Sequence, residues 1–474
     1  MNQALPSSGQ PAPYLVVAGL ASNSGKTSLT VGLTLALREL GLQVACFKAG
    51  PDYLDPSYHS RASGRPCHNL DLWMMGIDAC KQTLAEGLQG ADIGLIEGVM
   101  GLFDGADPTS DAGSTAALAR ALGAPVLLCI DAAGMARTLA ALVAGVQALA
   151  PDIELLGVIA NRVNSQGHAQ LLERALASLP VPVPLLGRLP NQAAPSFPGR
   201  HLGLHSAVFG SVQSEALQAW GQAVGETVAL PKLLQSVRAR ALQPRPRRSS
   251  GPPPLGAPAR RRCRIAVARD AAFHFYYPYN LRALEAASAE LVPFSPLEDS
   301  ALPEGVAGVL IGGGYPEMHG AALAANQAML QSVREHAAAG GVIYAECGGL
   351  MYLSEGVVEL QGARHGLVGL IPGWAHMTER IQALGYVEVT TRCAGPLGPA
   401  ETRLRGHQFR YSKLEGAVEP QHYTLQRLRD GQISTEGYGQ GRVWASYVHT
   451  HWAHTPGCAE SFVRYCMAGS SSPL

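Results

Sequence analysis

The chain of 474 residues is too long for one ordinary hydrophobic core, so we expect two domains. Its 36 Lys and Arg residues balance its 36 Asp and Glu residues, which leaves no general electrostatic field for nucleic acid or an anionic membrane. Hydrophobic residues at 47% and charged residues at 15% exclude disorder throughout the chain.

The N-terminal stretch MNQALPSSGQPAPYLVVAGL lacks the basic start and the unbroken apolar segment of a signal peptide. No run free of charge, Pro and turn residues is long enough to cross a bilayer. We therefore expect a cytoplasmic protein that binds neither membrane nor nucleic acid. Its nine scattered cysteines form no C-x-x-C pair, which argues against a disulfide framework and a structural zinc site.

From Tyr14 onward, short apolar runs such as YLVVAGL, QVACFKAG and IGLIEGVM alternate with amphipathic stretches such as SLTVGLTLALREL. Strands that alternate with helices predict an α/β fold with a mostly parallel sheet. We assign this first domain to residues 12–232.

The stretch GLASNSGKTSLTVGL follows a predicted strand and opens a predicted helix, which is the context of a phosphate-binding loop (P-loop). Backbone N–H groups of such a turn bind phosphate oxygens, a lysine reaches the outer phosphates and a threonine binds Mg²⁺. The spacing between its two glycines is one residue longer than in the common form and looks like the dethiobiotin synthetase variant. The residues expected to bind ATP here are Gly19, Asn23, Ser24, Gly25, Lys26, Thr27 and Ser28.

Acidic residues follow two later strands of this domain, in FKAGPDYLDP and GLIEGVMGLFDG. One or two carboxylates would complete a Mg²⁺ shell with the threonine and the nucleotide phosphates, because Mg²⁺ favours oxygen ligands and few protein groups. The alternative is that these acids cap helices, and it stays open. The candidates are Lys48, Asp52, Asp55, Glu97 and Asp104.

Residues 233–262 are rich in Pro, Arg and Ser, and we interpret them as a linker without a function of its own. The alternative, a basic nucleic-acid patch, is less typical of such a composition. Strand and helix patterns resume afterwards, which predicts a second α/β domain over residues 263–468.

Cys347 lies in AECGGLMYL, between a predicted strand and a predicted helix. A sharp turn there would expose the sulfur and aim helix N–H groups at it, which favours the thiolate, although a buried core cysteine is the alternative. The candidate base is His449 in ASYVHTHW, with His451 as its rival. Backbone N–H groups of Gly313, Gly314 and Gly348 are the expected oxyanion donors.

These motifs, together with NLDLWM, GGGYPE and RGHQFRYS, resemble the cobyrinic acid a,c-diamide synthase family, which includes hydrogenobyrinate enzymes. The resemblance covers nearly the whole chain outside the extreme N-terminus and the linker. It implies a dethiobiotin-synthetase-like P-loop domain followed by a class I glutamine amidotransferase domain. It also implies a homodimer as a possible assembly.

The resemblance further implies a glutamine-dependent carbon–nitrogen ligase of cobalamin biosynthesis. Its substrates would be a corrinoid or other tetrapyrrole carboxylate, glutamine and ATP, with acyl phosphates as intermediates. The alternatives within this architecture are cobyric acid synthase, which GPDYLDP and EGVMGLFDG disfavour, and a relative that amidates nickel sirohydrochlorin. A partitioning or metal-carrier ATPase, the alternative of another class, usually has an additional Lys in the phosphate loop, and GLASNSGKT has none.

The implied roles follow residue by residue. Cys347 would attack glutamine with His449 as base, although the His-x-Glu pattern of class I triads is absent because Thr450 and His451 follow His449. The group that would orient His449 stays open, as does the role of His407.

In the first domain, the resemblance implies three overlapping sets of residues. The phosphate contacts would be Lys26, Thr27 and Lys48, and the Mg²⁺ ligands would be Thr27, Asp52 and Glu97. The groups around the reacting carboxylate would be Asp52, Asp55, Glu97 and Asp104.

Overall fold

The structure is a computed structural model, and it describes residues 12–190, 214–241, 263–416 and 419–468. The chain divides into two compact units, Met1–Pro252 and Pro253–Leu474. Both units are α/β, as the sequence predicts. Within the described ranges, no helix is long and apolar enough to cross a membrane.

A seven-stranded parallel sheet forms the centre of the first unit, in the order β3-β2-β4-β1-β5-β6-β7. Every residue of β1 is buried, which is typical of a parallel strand covered on both faces. The strands are β1 (Tyr14–Gly19), β2 (Val44–Ala49), β3 (His68–Leu70), β4 (Ile93–Glu97), β5 (Val126–Asp131), β6 (Leu155–Asn161) and β7 (Leu185–Leu189).

The helices of this unit pack their apolar faces on the sheet. In the first helix, Leu29, Leu33 and Leu37 recur every fourth residue and are fully buried. The helices are α1 (Lys26–Glu39), α2 (Leu54–Ser63), α3 (Leu72–Met75), α4 (Ile77–Gly87), α5 (Thr115–Leu122), α6 (Arg137–Leu149), α7 (Gln166–Ala177), α8 (Ser214–Thr227) and α9 (Leu230–Ala241).

The prediction that the linker begins at residue 233 is wrong. Residues 233–241 belong to α9, and Leu233 and Val237, one helical turn apart, are buried in the same hydrophobic core as Trp220. Proline, which would end a helix, is absent from 233–241, so the amphipathic pattern continues past the predicted boundary. The remainder of the predicted linker, 242–262, lies outside the described residues.

A five-stranded parallel sheet forms the centre of the second unit, in the order β10-β8-β11-β13-β22. Three further sheets, which the sequence did not predict, surround it in the orders β12-β9, β15-β14-β16-β19 and β21-β20-β17-β18-β23. The strands are β8 (Cys263–Ala268), β9 (Phe273–Phe275), β10 (Ala289–Phe294), β11 (Gly308–Ile311), β12 (Gly313–Gly314), β13 (Val342–Glu346), β14 (Ser354–Val358), β15 (Arg364–Gly366), β16 (Ile371–Met377), β17 (Ala383–Thr391), β18 (Arg403–Arg410), β19 (Ser412–Glu415), β20 (Tyr423–Arg427), β21 (Ile433–Glu436), β22 (Val443–Ser446) and β23 (His449–His451).

The helices of the second unit pack into two hydrophobic clusters; Leu330 and Val333 lie in one, and Phe462 lies in the other. These helices are α10 (Pro278–Ala286), α11 (Gly320–Ala325), α12 (Gln327–Ala338), α13 (Gly348–Leu353) and α14 (Cys458–Met467). Short 3₁₀ helices cover Pro316–His319 and Trp452–His454.

Adjacent strand ends bring distant segments together in both units. In the first, Glu97 pairs in register with Val17 of β1 and with Lys48 of β2, so these strands end side by side. In the second, β13 lies between β11 and β22, and Glu346 pairs with Ser446. Ligands of open parallel sheets bind at such carboxyl ends, which is where the predicted site residues lie.

Candidate active sites

The predicted phosphate loop joins β1 to α1 and contains two left-handed residues, Asn23 (φ 61°) and Gly25 (φ 99°). A Cβ at Gly25 would lie 2.2 Å from Nδ2 of Asn161 and would displace that amide, and the φ of Gly25 is itself strained for a residue with a side chain. That amide nitrogen donates to the carbonyl oxygen of Ser24 at 2.9 Å and holds the turn in place. The loop therefore leads into the N-terminus of α1, where free backbone N–H groups attract anions.

Lys26, the first residue of α1, lies back over this loop. Its Nζ donates to the carbonyl oxygen of Ala21 at 3.0 Å, and only 7% of the residue is exposed. Burial and the nearby Lys48 ammonium lower the pKa of Lys26, against the attraction of Glu97. A phosphate group beside Lys26 would compensate for this crowding of positive charge.

Glu97, at the end of β4, is fully buried and has three polar partners. Its Oε1 accepts hydrogen bonds from Oγ1 of Thr27 at 2.8 Å and from Nζ of Lys48 at 2.9 Å. Its Oε2 lies 2.5 Å from Nε2 of His59. Burial alone would raise the pKa of Glu97, but Lys48 and His59 outweigh it and hold the pKa well below its usual range. The carboxylate is therefore ionised at neutral pH.

Lys48 links the strand ends to α2. Besides Glu97, its Nζ binds Oδ2 of Asp55 at 2.9 Å and the carbonyl oxygen of Gly98 at 2.9 Å. Burial alone would lower the pKa of Lys48, but the carboxylates of Asp55, Glu97 and Asp52 raise it above its usual value. Lys48 thus carries a permanent charge in a buried position.

The other two acids have structural contacts. Oδ1 of Asp52 accepts hydrogen bonds from the backbone N–H groups of Leu54 and Asp55 at 2.9 and 3.2 Å, at the start of α2. Oδ2 of the exposed Asp104 accepts from the backbone of Gly101 at 2.9 Å. Asp52 therefore caps the N-terminus of α2, which was the alternative to a catalytic role. The structure gathers Thr27, Lys48, Asp55 and Glu97 in one cluster and leaves Asp104 outside it.

The oxygen atoms of Thr27, Glu97 and Asp52 suit Mg²⁺, which prefers hard oxygen ligands. Among the described residues, no group of three or more His, Cys, Asp and Glu side chains is arranged to hold a metal by itself. The assignment of Thr27, Asp52 and Glu97 as Mg²⁺ ligands stays a prediction.

Sequence reasoning missed His59 and Asn161 in this site. His59 lies four residues after Asp55 in α2, so both side chains face the same way, toward Lys48 and Glu97. That helical spacing was the available signal. Asn161 ends β6, and only the folded sheet brings it to the phosphate loop.

In the second unit, Cys347 occupies the sharp turn between β13 and α13. Its φ of 51° lies in the left-handed region, which is strained for a residue with a side chain. Its backbone N–H donates to the carbonyl oxygen of Ser446 at 2.7 Å, and the residue is 9% exposed. This is the strained strand-to-helix geometry that presents a nucleophile in other enzymes.

The three predicted oxyanion glycines lie around this turn. A Cβ at Gly313 would lie 2.5 Å from Cε1 of His449 and 3.4 Å from Cβ of Cys347, so both functional side chains border Gly313. A Cβ at Gly348 would lie 3.1 Å from the backbone nitrogen of Gly314. The glycines therefore leave room beside the thiol, and their role as oxyanion donors stays a prediction.

The two rival histidines of β23 have different surroundings. His449 stacks on His407, with ring centroids 5.1 Å apart and planes 17° apart. His451 packs against Tyr277 and Tyr279, and its Nδ1 accepts from the backbone of Ala453 at 3.3 Å. Because His449 borders Gly313, the structure favours it over His451 as the base.

The expectation that the turn favours a thiolate is wrong for the protein at rest. Burial and the Glu317 carboxylate raise the pKa of Cys347 to about 12, although a hydrogen bond from the Gly348 backbone acts in the other direction. Burial lowers the pKa of His449 to about 3. The pair is therefore a neutral thiol beside a neutral imidazole at neutral pH.

Sequence reasoning also missed Glu346, although it directly precedes Cys347. Its Oε2 lies 3.8 Å from Nδ1 of His449. Its Oε1 accepts from the hydroxyl of Tyr344 at 3.0 Å, and from the backbone and the hydroxyl of Thr450 at 3.1 and 2.7 Å. The position of Glu346 at the end of a buried strand was visible in the sequence. Its contact with Thr450 was not, because Thr450 is 104 residues further along the chain.

Two family models match the chain. A CobQ/CobB/MinD/ParA nucleotide binding domain matches residues 15–203, and a CobB/CobQ-like glutamine amidotransferase domain matches residues 264–457. The first contains the Lys26 and Glu97 site, and the second contains the Cys347 and His449 site.

Curated relatives match over nearly their full length. The cobyrinate a,c-diamide synthase of Syntrophotalea carbinolica is 48% identical over 97% of this chain and 99% of its own. The hydrogenobyrinate a,c-diamide synthase of Streptomyces coelicolor is 38% identical over 97% of this chain and 98% of its own. Among solved structures, PurLQS from Thermotoga maritima is 15% identical, with a TM-score of 0.32 over 44% of this chain and 97% of that chain, too low for a structural conclusion.

Proposed function

The chain belongs to the cobyrinate a,c-diamide synthase family, and we propose from this premise that it amidates the a and c carboxylates of cobyrinic or hydrogenobyrinic acid. Glutamine supplies the nitrogen and ATP drives the reaction, as a step of cobalamin biosynthesis. The observation that carries the proposal is the presence in one chain of a phosphate loop joined to a buried Glu97 and of a strained Cys347 beside a buried His449.

In the first unit, the reaction is the activation of a carboxylate. A corrinoid carboxylate attacks the terminal phosphorus of ATP, which gives an acyl phosphate and ADP. Ammonia then attacks the acyl carbon, the amide forms and phosphate leaves. Activation is required because a carboxylate resists attack by ammonia, whereas an acyl phosphate carries a good leaving group.

The residues of this unit supply charge and position. Lys26 and Lys48 stabilise the negative charge that develops on the transferred phosphoryl group. Thr27, Glu97 and Asp52 would hold Mg²⁺, which neutralises phosphate charge when it is bound. Asp55 keeps Lys48 in place through their 2.9 Å contact.

In the second unit, the reaction is the release of ammonia. His449 takes the proton of the Cys347 thiol as the sulfur attacks the amide carbon of glutamine, and backbone N–H groups near Gly313, Gly314 and Gly348 stabilise the oxyanion. The proton passes to the leaving nitrogen, and ammonia departs. Water, activated by His449, then hydrolyses the thioester to glutamate.

Four finer assignments stay predictions. ATP as the nucleotide and Mg²⁺ as the metal follow from the phosphate loop and its oxygen ligands, homodimerisation follows from the family resemblance, and a cytoplasmic location is the fourth. They are tested by nucleotide and metal titration, by sedimentation and by cell fractionation.

The two-site scheme predicts that Cys347→Ser abolishes glutamine-dependent amidation and preserves amidation with added ammonium salt, because only the thiol chemistry is lost. The measurement is amide formation on cobyrinic acid with either nitrogen source, and Cys393→Ser, an exposed cysteine of the same unit, is the matched control. Loss of both activities in a folded Cys347→Ser protein would contradict the scheme.

A further inference from the structure

Glu346 is fixed by hydrogen bonds at one of its two oxygens. Oε1 accepts from three donors: the hydroxyl of Tyr344 and both the backbone N–H and the hydroxyl of Thr450, at 2.7 to 3.1 Å. Tyr344 and Glu346 are two residues apart in β13 and so share a face of the strand. The residue is 8% exposed, so the carboxylate has little freedom to turn toward water.

The second oxygen of Glu346 faces the ring of His449. Oε2 lies 3.8 Å from Nδ1. The Cε1–Nε2 side of the ring borders Gly313, where a Cβ would lie 2.5 Å from Cε1, 3.3 Å from Nε2 and 3.4 Å from Cβ of Cys347. Nδ1 therefore faces the carboxylate, and the Cε1–Nε2 side borders the same glycine as Cys347.

The ring plane of His449 is fixed as well. His407 stacks on it nearly parallel, and Nδ1 of His407 lies 2.9 Å from the hydroxyl of Tyr277. Thr450, the residue after His449, is the one that binds Glu346 through both its backbone and its side chain. The backbone that carries the base is thus anchored to the same carboxylate.

We infer that Glu346, the residue directly before the nucleophile, is the positioning carboxylate of the Cys347–His449 pair and replaces the acid of the absent His-x-Glu pattern. This inference rests on the proposed role of Cys347 in glutamine hydrolysis. In this arrangement His449 carries its proton on Nδ1 and directs it at Oε2, so Nε2 is the nitrogen that accepts the thiol proton. The 3.8 Å between Oε2 and Nδ1 is an electrostatic contact in the resting site, and the inference requires the two atoms to approach more closely when the ring accepts a proton.

The Glu346 carboxylate also stabilises the charge that forms on His449 during the reaction. Burial lowers the pKa of His449 to about 3, so the imidazole alone is a poor acceptor for a thiol proton. When the S–H bond of Cys347 breaks and an N–H bond forms at Nε2, the ring becomes a buried cation. Burial raises the pKa of Glu346 to about 7, against the hydrogen bonds from Thr450 and Tyr344, so the group is increasingly ionised above neutral pH. In its ionised form, the negative charge of Glu346 beside Nδ1 stabilises that cation, as the carboxylate of a catalytic triad does.

The test is the hydrolysis of glutamine by the full-length enzyme and its Glu346→Gln and Glu346→Asp variants. We expect Glu346→Gln to lower kcat by about 100-fold or more with little change in KM, since loss of a triad carboxylate lowers kcat and leaves binding intact. Glu346→Asp keeps the charge and should recover part of kcat. Glu355→Gln, an exposed glutamate on β14, is the matched control and should behave as the wild type.

Each outcome decides something different. An unchanged kcat in Glu346→Gln, or a raised KM with unchanged kcat, overturns the inference while leaving the proposed function intact. If the wild type does not hydrolyse glutamine, or Cys347→Ser still does, the proposed function itself fails. Melting curves show whether each variant folds; if Glu346→Gln does not, Glu346→Asp decides, and a kcat equal to wild type counts against the inference.

Discussion

At the scale of single residues, Glu97 contacts three of the side chains around the proposed nucleotide site. One buried carboxylate binds a threonine at the start of α1, a lysine at the end of β2 and a histidine inside α2. Its ionised state is maintained by Lys48 and His59 against the effect of burial. Removing its charge while keeping its shape therefore tests the whole cluster.

Glu97→Gln should lower ATP-dependent amidation by about 100-fold or more with either glutamine or ammonia, because one charged contact at a phosphoryl-transfer site contributes this much. Glutamine hydrolysis in the second unit should be retained. Amide formation and glutamate release are measured in parallel, with Glu39→Gln at the exposed end of α1 as control. Unchanged amidation would remove Glu97 from the site.

The sequence predicted those site residues whose chemistry is visible locally. A Gly-rich loop before a helix indicated Lys26 and Thr27, and a cysteine followed by two glycines indicated Cys347. His59 and Glu346 were missed because their partners are brought by the fold: Glu97 is 38 residues from His59, and Thr450 is 104 residues from Glu346. The thiolate expectation failed because burial, which depends on the complete fold, outweighs the helix terminus.

At the scale of elements, the ends of neighbouring strands position both sites. β1, β2 and β4 lie side by side in the first unit, and β11, β13 and β22 do so in the second. The parallel strands were predictable from their buried apolar runs. The added sheets, in which most strand pairs are antiparallel, were not, because strands such as β18 (RLRGHQFR) mix Arg and His with buried positions and show no clear alternation.

The contribution of α9 to the core can be tested, because residues 233–241 of this helix were predicted to belong to a linker. Leu233→Ala should destabilise the first unit by about 2–5 kcal/mol, the usual effect of emptying a fully buried leucine position. Gln235→Ala on the exposed face of the same helix is the control. Chemical denaturation, followed by hydrogen–deuterium exchange in peptides of the first unit, measures the difference, and equal stabilities would mean that α9 is not part of the core.

At the scale of the whole molecule, the chain carries two chemistries in two compact units. Chain length predicted this division, since one core does not accommodate 474 residues. The exact boundary was not predictable, because the amphipathic pattern of α9 runs into the Pro-rich and Arg-rich segment without a break. The pairing of the two sites is what a glutamine-dependent ligase requires: one releases ammonia and the other activates its acceptor.

The most direct test of this account is the mass of the product formed by the purified enzyme. It is incubated with ATP, Mg²⁺ and glutamine, and with cobyrinic acid or hydrogenobyrinic acid in turn. We expect at least one of these acids to gain two amide groups, with both ATP and glutamine required. If neither acid gains two amides under these conditions, the proposed function is wrong.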